Sequence, residues 1–271
     1  MLETHLQSLS TFQFHNLSKQ SGIHHFVSTR SGGLSPAPYE SLNLGFHVGD
    51  TPETVLQNRE RLAANIGIPL SDFTISKQVH SGTVTIVTEE MRGCGAADLD
   101  TAVEATDAMI TDVPRLCLTV LAADCVLVLF FDPQKRVIAA VHAGWRGTVK
   151  LAAQKTAETL KQEFDCNPAE LLVGIGPSIG PCHYEVGPEV ISQVEDTFGS
   201  TDGYINNETP DGKGYFNLWE ANKRQIIDAG IPAQNIEVAQ ICTYCNAHLF
   251  FSERHQKGRT GRFGAGMMLS D

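Results

Sequence analysis

Residues 116–142 read LCLTVLAADCVLVLFFDPQKRVIAAVH, and this stretch decides the fold of the chain. It holds three nearly continuous apolar runs, at 116–124, 126–132 and 137–142. Strands that are covered on both faces have this pattern, because neither face alternates with polar side chains. We therefore predict that these strands form the core of a sheet covered by helices.

Helix and strand patterns continue on both sides of this core. Short apolar or alternating runs predict further strands at 24–30, 83–88, 171–176, 236–242 and 263–269. Apolar residues at helical spacing predict helices at 52–66, 148–164, 188–198 and 218–229. No repeat or linker interrupts this order, so we predict one α/β domain over residues 1–271, with mixed sheets of undetermined strand order.

The composition is that of an ordinary globular protein. Of 271 residues, 42% are hydrophobic and 19% are charged, which excludes the disordered, collagen-like and coiled-coil classes. The formal net charge of −11 argues against nucleic acid or an anionic membrane as a partner, and no partner protein is indicated. No apolar run approaches about 18 residues and no signal peptide is evident, so we expect a cytoplasmic protein. Seven irregularly spaced cysteines fit reduced thiols better than a disulfide framework.

Three potential metal ligands stand where strong strand patterns end or break. His80 follows KQV, Cys125 separates the first two core runs, and His142 ends the third. Imidazole and thiolate groups suit zinc, and three protein ligands leave a fourth position open, as in catalytic zinc sites. The spacing matches no local metal motif, however, so a buried cysteine and two ordinary histidines are the simpler interpretation of the pattern alone.

Several motifs together resemble the YfiH family, whose members are also called laccase-domain, polyphenol oxidase or peptidoglycan editing factor proteins. The resemblance covers almost the whole chain in collinear order. Its motifs are STRSGGLSPAPYESLNLGFHVGDTPETVLQNRERL (28–62), KQVHSGTV (77–84), AADCVLVLFFD (122–132), VHAGWRGT (141–148), GIGPSIGPCHYEVG (174–187), ICTYC (241–245) and FFSERHQKGRTGRFGAGMML (250–269).

This resemblance implies a fold, a metal and an activity. It implies a four-layer α/β/β/α arrangement and a zinc site at His80, Cys125 and His142. Relatives act as purine nucleoside phosphorylases on adenosine, inosine, guanosine and S-methyl-5′-thioadenosine with phosphate, and they deaminate adenosine. The resemblance thus implies purine nucleosides and phosphate as the small-molecule partners.

Two other activities attached to the family are alternatives. One is the editing of peptidoglycan precursors by a cytoplasmic hydrolase, with Cys125 as nucleophile and His142 as base. The other is copper-dependent oxidation of phenols, which demands many closely paired histidines, whereas this chain has ten histidines and no H-x-H pair. We expect that copper binds at most in vitro, through its high intrinsic affinity for such ligands.

The two nucleoside reactions indicate candidate catalytic residues. Deamination needs an acid or base beside a zinc-activated water, and Asp124 is the nearest carboxylate to Cys125 in sequence. Phosphorolysis needs an anion clamp, for which Arg146 is the candidate, because a guanidinium donates two parallel hydrogen bonds. The alternatives are a structural role for Asp124 and a solvated salt bridge for Arg146.

The remaining candidates concern substrate binding. Arg30 is a further candidate for the anion, while Asn43 and His47 are candidates for contacts with the sugar or the base. Asn43 fits turn chemistry next to Gly45 equally well. Cys182 would line the pocket or be a buried free thiol. Two further features carry little weight by themselves, namely a lone C-x-x-C at 242–245 and a solvated basic turn formed by the arginines at 259 and 262.

Overall fold

The computed structural model describes residues 1–6 and 9–271. Its strands are β1 (Leu2–Leu6), β2 (Leu9–Gln13), β3 (Ile23–Ser28), β4 (Phe73–Ile75), β5 (Val84–Ile86), β6 (Ala108–Thr111), β7 (Cys117–Ala122), β8 (Val126–Asp132), β9 (Val137–Ala143), β10 (Leu172–Ile175), β11 (Glu185–Val186), β12 (Ile205–Asn206), β13 (Gly214–Phe216), β14 (Ile236–Val238) and β15 (Phe263–Leu269). Its α-helices are α1 (His15–Ser18), α2 (Pro52–Ile66), α3 (Trp145–Val149), α4 (Ala152–Phe164), α5 (Pro188–Phe198) and α6 (Leu218–Asp228). Within the described ranges, none of the helices is both long and apolar enough to span a membrane.

The strands form two large mixed sheets. The first has the order β1-β2-β3-β15-β7-β4 and the second has the order β14-β10-β8-β9-β6-β5. The three core runs are β7, β8 and β9, as predicted, but β7 lies in the first sheet and β8 and β9 lie in the second. The chain therefore crosses from one sheet to the other at residues 123–125. A small third sheet has the order β11-β13-β12.

The two large sheets pack face to face through a shared apolar core. Alternate residues of β8 explain why the run is continuously apolar. Leu127, Leu129 and Phe131 belong to the core between the sheets, whereas Val126, Val128 and Phe130 belong to the core under the helices α3 to α6. The helix α2 covers the outer face of the first sheet. These layers confirm the four-layer α/β/β/α prediction.

The structure corrects the helix predicted at 148–164. It divides into α3 and α4, because Leu151 adopts a left-handed conformation with φ of 60° that no α-helix can contain. The strand predicted at 236–242 ends at Val238. Sequence patterns missed β4 and β6, which have only three and four residues and are recognisable as strands only through their tertiary partners.

His25 in β3 provides a pH-dependent contribution to stability. Its side chain is buried, and Nε2 accepts a hydrogen bond from the backbone N–H of Phe14 at 2.9 Å. Burial lowers the pKa of His25 to about 4, even though the nearby Glu237 opposes the shift. The unfolded chain, with a pKa near 6.5, then binds more protons than the folded chain between these two values. Stability is therefore complete above about pH 6.5 and falls as the pH drops towards 4.

We predict that the wild type loses about 2 kcal/mol of unfolding free energy through His25 between pH 7 and pH 5. Urea denaturation at both pH values measures this loss, and His25→Gln should remove it, because glutamine accepts the same hydrogen bond without titrating. His24→Gln is the matched control, since His24 is the exposed neighbour on the same strand. An equal pH dependence in wild type and His25→Gln would contradict the assignment.

Candidate active site

The structure brings His80, Cys125 and His142 together where the central strands β8 and β9 of the second sheet begin and end. Strands β8 and β9 are antiparallel, and Val126 pairs with Ala143, so the start of β8 lies beside the end of β9. This register places Cys125 next to His142, while His80 arrives from the loop between β4 and β5. The ligand atoms of the three side chains all lie within 4.8 Å of one another. The centroids of the two imidazole rings are 4.9 Å apart, with the rings edge to face.

Asp107 positions two of these three side chains, although no sequence motif indicates it. It directly precedes β6, and the pairing of Ala108 with Val141 sets it opposite His142. Its Oδ1 lies 2.8 Å from Nδ1 of His142, and its backbone carbonyl accepts the His142 backbone N–H at 2.7 Å. A neutral His142 thus carries its proton on Nδ1, which leaves Nε2 free to bind a metal.

The same carboxylate also holds the loop that carries His80. Oδ1 accepts the backbone N–H of His80 at 3.0 Å, and Oδ2 accepts the backbone N–H groups of Val79 and Ser81 at 3.2 and 2.6 Å. The hydroxyl of Ser81 donates to Oδ2 at 2.7 Å. His80 itself has a φ of 58°, an uncommon conformation for a residue with a side chain. One buried carboxylate therefore orients both histidines.

Cys125, His142 and Asp107 each favour the charged form of their neighbour. Burial alone would raise the pKa of the Cys125 thiol, but the neighbouring His142 and His80 lower it to about 6. Burial would lower the pKa of His142, but Cys125 and Asp107 raise it to about 9. Burial also opposes ionisation of Asp107, yet His142 and Ser81 lower its pKa to about 2. Near pH 7 these pKa values make Cys125 and Asp107 anionic and His142 cationic, and a metal ion on Nε2 of His142 would take the place of one of its two protons.

This donor set fits a zinc ion. Imidazole and thiolate groups are usual ligands of zinc. A zinc-binding histidine usually donates the N–H of its other ring nitrogen to a carboxylate or carbonyl, as His142 does to Asp107. Three protein ligands leave one tetrahedral position for a water or a substrate atom. A metal ion held by these three side chains would therefore have an open position, as the metal of a catalytic site does.

The three side chains line a cavity of about 350 Å³. Its wall also includes His47, Gln78, Glu253 and Arg262. Both ends of the Gln78 amide bond to the backbone of Leu121, at 2.7 and 2.8 Å, which fixes the chain just before His80. A cavity of this size is within the range of about 300–1,000 Å³ that small-molecule sites occupy.

His47 and Arg262 stand in the cavity wall beside the three candidate ligands. Desolvation in the wall, together with the cationic groups of Arg262 and Arg59, lowers the pKa of His47 to about 4, so that His47 is neutral at pH 7. Nη2 of Arg262 lies 3.1 Å from Oε2 of Glu253. The side chain of Arg262 is only 20% exposed, so it is not part of the solvated basic turn that the sequence predicts at 259 and 262.

Asp124 and Asn43 are both buried and fully engaged with the protein. The two carboxylate oxygens of Asp124 accept the hydroxyl of Thr243 at 2.5 Å and the backbone N–H of Arg254 at 2.7 Å. The amide of Asn43 bonds to both backbone groups of Gly45, and its Oδ1 also accepts the backbone N–H of Arg262 at 2.9 Å. These contacts support the structural and turn alternatives for the two residues.

The three other candidates lie away from the cavity wall. Arg30 donates to the backbone carbonyls of Glu40 and Ala247 at 2.8 and 2.6 Å, and thus joins two loops. Arg146 is exposed, and its guanidinium lies over the ring of Trp145 at 4.3 Å. Cys182 is exposed and belongs to a separate cluster of cysteines. Binding of substrate by Arg30, Arg146 and Cys182 stays a prediction.

Gly144 leaves the room that the metal ligands need. It precedes α3 in an extended conformation, with φ of −66°, and a Cβ atom there would lie 2.6 Å from Sγ of Cys125 and 3.3 Å from the His80 ring. We predict that Gly144→Ala displaces the thiolate and lowers zinc occupancy, with about a tenfold loss of turnover, because overpacking costs about 1–3 kcal/mol. Metal analysis and initial rates measure the two effects.

Gly187→Ala is the matched control for this substitution. Gly187 precedes α5 in a similar extended conformation, with φ of −90°, but its added Cβ would meet only the carboxylate end of the exposed Glu189, which can turn away. This variant should keep both zinc and turnover. Full zinc occupancy in Gly144→Ala would contradict the prediction.

Comparison with known proteins identifies the family. The family model described as multi-copper polyphenol oxidoreductase laccase matches residues 24–270. Purine nucleoside phosphorylase YlmD from Geobacillus stearothermophilus is 38% identical over 87% of this chain and 86% of that protein. Adenosine deaminase RL5, from an unknown prokaryotic organism, is 31% identical over 91% of this chain and 94% of that protein.

Solved structures agree with the sequence relatives. The crystal structure of YlmD from Geobacillus stearothermophilus has a TM-score of 0.93 and 34% identity, and covers 99% of this chain and 98% of that chain. The crystal structure of the hypothetical protein YfiH from Bacillus licheniformis has a TM-score of 0.91 and 34% identity, with 97% of both chains covered. The resemblance seen in the motifs is therefore confirmed, and the chain belongs to the multi-copper polyphenol oxidoreductase laccase family, which is the YfiH family.

Proposed function

We propose that this protein is a zinc-dependent purine nucleoside phosphorylase of the cytoplasm. It cleaves adenosine, inosine, guanosine and S-methyl-5′-thioadenosine with phosphate, and it deaminates adenosine. The observation that carries the proposal is the three-ligand centre of His80, Cys125 and His142 in the wall of a cavity of about 350 Å³. Relatives named purine nucleoside phosphorylase and adenosine deaminase support the two reactions.

Each group of the site has a task in this proposal. His80, Cys125 and His142 would hold the zinc ion, which would supply a Lewis acid and a water of lowered pKa near pH 7. Asp107 keeps the proton of His142 on Nδ1 and so positions the ligand. His47, neutral at pH 7, offers one donor and one acceptor to the sugar or the base.

Arg262 is the cation best placed to receive phosphate. It lines the cavity, whereas Arg146 is not part of its wall. A charge-assisted hydrogen bond contributes about 1.5–3 kcal/mol. We therefore predict that Arg262→Gln raises the KM for phosphate by about 10- to 100-fold, with a smaller effect on the phosphate-independent deamination of adenosine.

Phosphate kinetics of Arg262→Gln and Arg146→Gln, run side by side, test this assignment. Arg146→Gln removes the same charge outside the cavity wall and should change the phosphate KM by less than about threefold, which corresponds to less than 1 kcal/mol. The opposite outcome would return the clamp to Arg146, the residue that the sequence favoured.

Product analysis tests the proposed function as a whole. The protein, with its metal content measured, is incubated with adenosine in the presence and absence of phosphate, and the products are separated by chromatography. Adenine and ribose 1-phosphate should appear only with phosphate, and inosine should appear in both conditions. If adenosine survives both conditions while zinc is stoichiometric, the nucleoside proposal fails.

One observation favours a second candidate, the peptidoglycan-precursor hydrolase. Asp107, His142 and Cys125 form a chain of neighbours in which the carboxylate orients the imidazole and the imidazole promotes the thiolate. This is the relation of an orienting acid, a base and a nucleophile in cysteine hydrolases. Metal-free wild-type protein should then cleave an amide and lose that activity on alkylation of Cys125. Activity that requires zinc would exclude this mechanism.

The residues offer little support for a multi-copper oxidase. In the part of the chain that the structure describes, the candidate metal groups contain only three of the ten histidines, His80, His142 and His183. We refer to His80, Cys125 and His142 as the His80 centre. Copper is expected to bind there only in vitro, because of its high intrinsic affinity for such ligands. Stoichiometric copper in protein made without added copper would overturn this expectation.

A further inference from the structure

A second cluster of metal-binding side chains lies outside the proposed active site. Cys182 and His183 come from the loop after β10, and Cys242 and Cys245 come from the loop after β14. The four ligand atoms all lie within 4.8 Å of one another. We refer to these four residues as the Cys182 cluster. It shares no residue with the His80 centre.

The distances inside the cluster match a tetrahedral zinc site. Sγ of Cys182 lies 3.7 Å from Sγ of Cys245, and Nδ1 of His183 lies 3.2 and 3.3 Å from these two sulfur atoms. With Zn–S near 2.3 Å and Zn–N near 2.0–2.1 Å, the edges of a tetrahedron are about 3.8 Å for S–S and about 3.5 Å for S–N. Cys182, His183 and Cys245 thus stand close to the positions that a zinc ion would give them, and Sγ of Cys242 lies within 4.8 Å of each of their ligand atoms.

The surroundings keep the ligands in this arrangement. The ring of His183 stacks on Tyr244, with centroids 4.1 Å apart and 16° between the planes. Sγ of Cys242 is buried and accepts the backbone N–H of Gly180 at 3.2 Å. Gly180 allows this close approach, because a Cβ atom there would lie 3.2 Å from Cβ of Cys242 and 2.7 Å from the ring of Trp219. An N–H donor to sulfur stabilises a thiolate and hence a metal–thiolate bond.

We propose that Cys182, His183, Cys242 and Cys245 bind a second zinc ion as a closed structural site. Three thiolates and one imidazole fill all four tetrahedral positions, so no position is left for water or substrate. Binding releases the protons of the cysteine thiols, because only the thiolate forms of cysteine bind the metal. The ion needs no oxidant or other reactant.

This site fixes the loop that reaches the active site. Thr243 stands between two of its ligands, and its hydroxyl donates to Oδ1 of Asp124 at 2.5 Å. Asp124 directly precedes Cys125, a proposed ligand of the first zinc ion, and has a left-handed φ of 84°. A zinc ion in the Cys182 cluster thus supports the strained turn that delivers Cys125 to the cavity.

A disulfide is the competing state of the same residues. The Sγ atoms of Cys182 and Cys245 are 3.7 Å apart, compared with about 2.0 Å in a disulfide bond. Both cysteines are exposed, so as free thiols they are accessible to a labelling reagent, but desolvation raises the pKa of both thiols and slows the reaction equally with and without a chelator. Zinc, a disulfide and free thiols therefore give three different results in one labelling experiment.

The first test measures zinc per chain in full-length protein purified under reducing conditions. Wild type should contain two zinc ions, and Cys125→Ala and Cys245→Ser should each contain one. Cys94→Ser is the matched control, since Cys94 is half-buried and outside both clusters, and it should keep two. A wild-type chain with a single zinc ion, lost in Cys125→Ala and kept in Cys245→Ser, would overturn the proposal.

The second test uses only wild-type protein and so does not depend on how a variant folds. Cys182 and Cys245 should resist alkylation until a strong chelator removes the metal, and peptide mass spectrometry should then find both labelled. Cobalt in place of zinc should give the visible absorption of a tetrahedral site with several thiolate ligands. Equal labelling of both cysteines before and after chelation, or a disulfide between them, would refute the site. Neither test measures turnover. Loss of a zinc ion in Cys245→Ser, and protection of Cys182 and Cys245 by a metal, do not depend on a metal at His80, Cys125 and His142, so they can hold even if the proposed function fails.

Discussion

Cys125→Ala is expected to reduce nucleoside turnover by more than about 1,000-fold, equivalent to about 4 kcal/mol of transition-state stabilisation. Cys125 supplies the only thiolate of the His80 centre, and its removal leaves two neutral imidazoles to hold the cation. His142→Ala should have a comparable effect, because it removes a ligand and leaves the buried Asp107 without its main side-chain partner. Steady-state rates with adenosine and phosphate, together with zinc analysis, measure the loss.

The fold should survive the substitution at Cys125. The side chain is half-buried and packs against the core between the two sheets without being one of its fully buried members. Circular dichroism should therefore resemble that of the wild type, and thermal unfolding should resemble that of the metal-free wild type, because a metal that binds only the folded state stabilises it. Cys94→Ala removes a thiol of similar exposure away from the site and should retain activity. Full turnover in Cys125→Ala would eliminate the zinc mechanism.

The layers of the fold could be predicted where burial leaves a pattern. The run at 126–132 becomes β8, because both of its faces are covered, and the pattern at 188–198 becomes α5 with the predicted bounds. The break at Leu151 could not be predicted, since leucine has no preference for a left-handed conformation. Nor could the chain's passage from one sheet to the other at Cys125, because strand order depends on long-range pairing.

The candidate site followed from the sequence in part. Strand ends and motif resemblance singled out the three candidate metal ligands, but the antiparallel register of β8 and β9 explains why Cys125 lies beside His142, and the contacts of Asp107 explain why His80 joins them. Asp107 stands in the sequence EATDAMI, which matches no motif, and the pairing of β6 with β9 alone sets it against His142. Similarly, the lone C-x-x-C at 242–245 indicates a candidate metal site only because the fold places Cys182 and His183 beside it.

Asp107→Asn should separate the orientation of the ligands from their presence. The carboxylate accepts five hydrogen bonds, from the backbone of Val79, His80 and Ser81 and from the side chains of Ser81 and His142. An amide keeps one acceptor oxygen and places an NH₂ group against N–H and O–H donors. Loss of an outer partner of a metal ligand typically lowers metal affinity or activity by about 10- to 100-fold. We expect a loss of this size in zinc affinity, with a stability cost of about 1–3 kcal/mol.

Zinc affinity, measured by competition with a chelator, distinguishes this positioning role from a purely structural one. Ser81→Ala is the matched control, since it removes one hydrogen bond to Oδ2 of the same carboxylate but leaves the contact of Oδ1 with His142 intact. It should lower stability by about 1 kcal/mol while zinc affinity stays within about threefold of the wild type. A purely structural role would instead leave the zinc affinity of folded Asp107→Asn unchanged. Because all three candidate metal ligands are still present in Asp107→Asn, a loss of zinc affinity in this variant and not in Ser81→Ala would show that the carboxylate positions the two histidines.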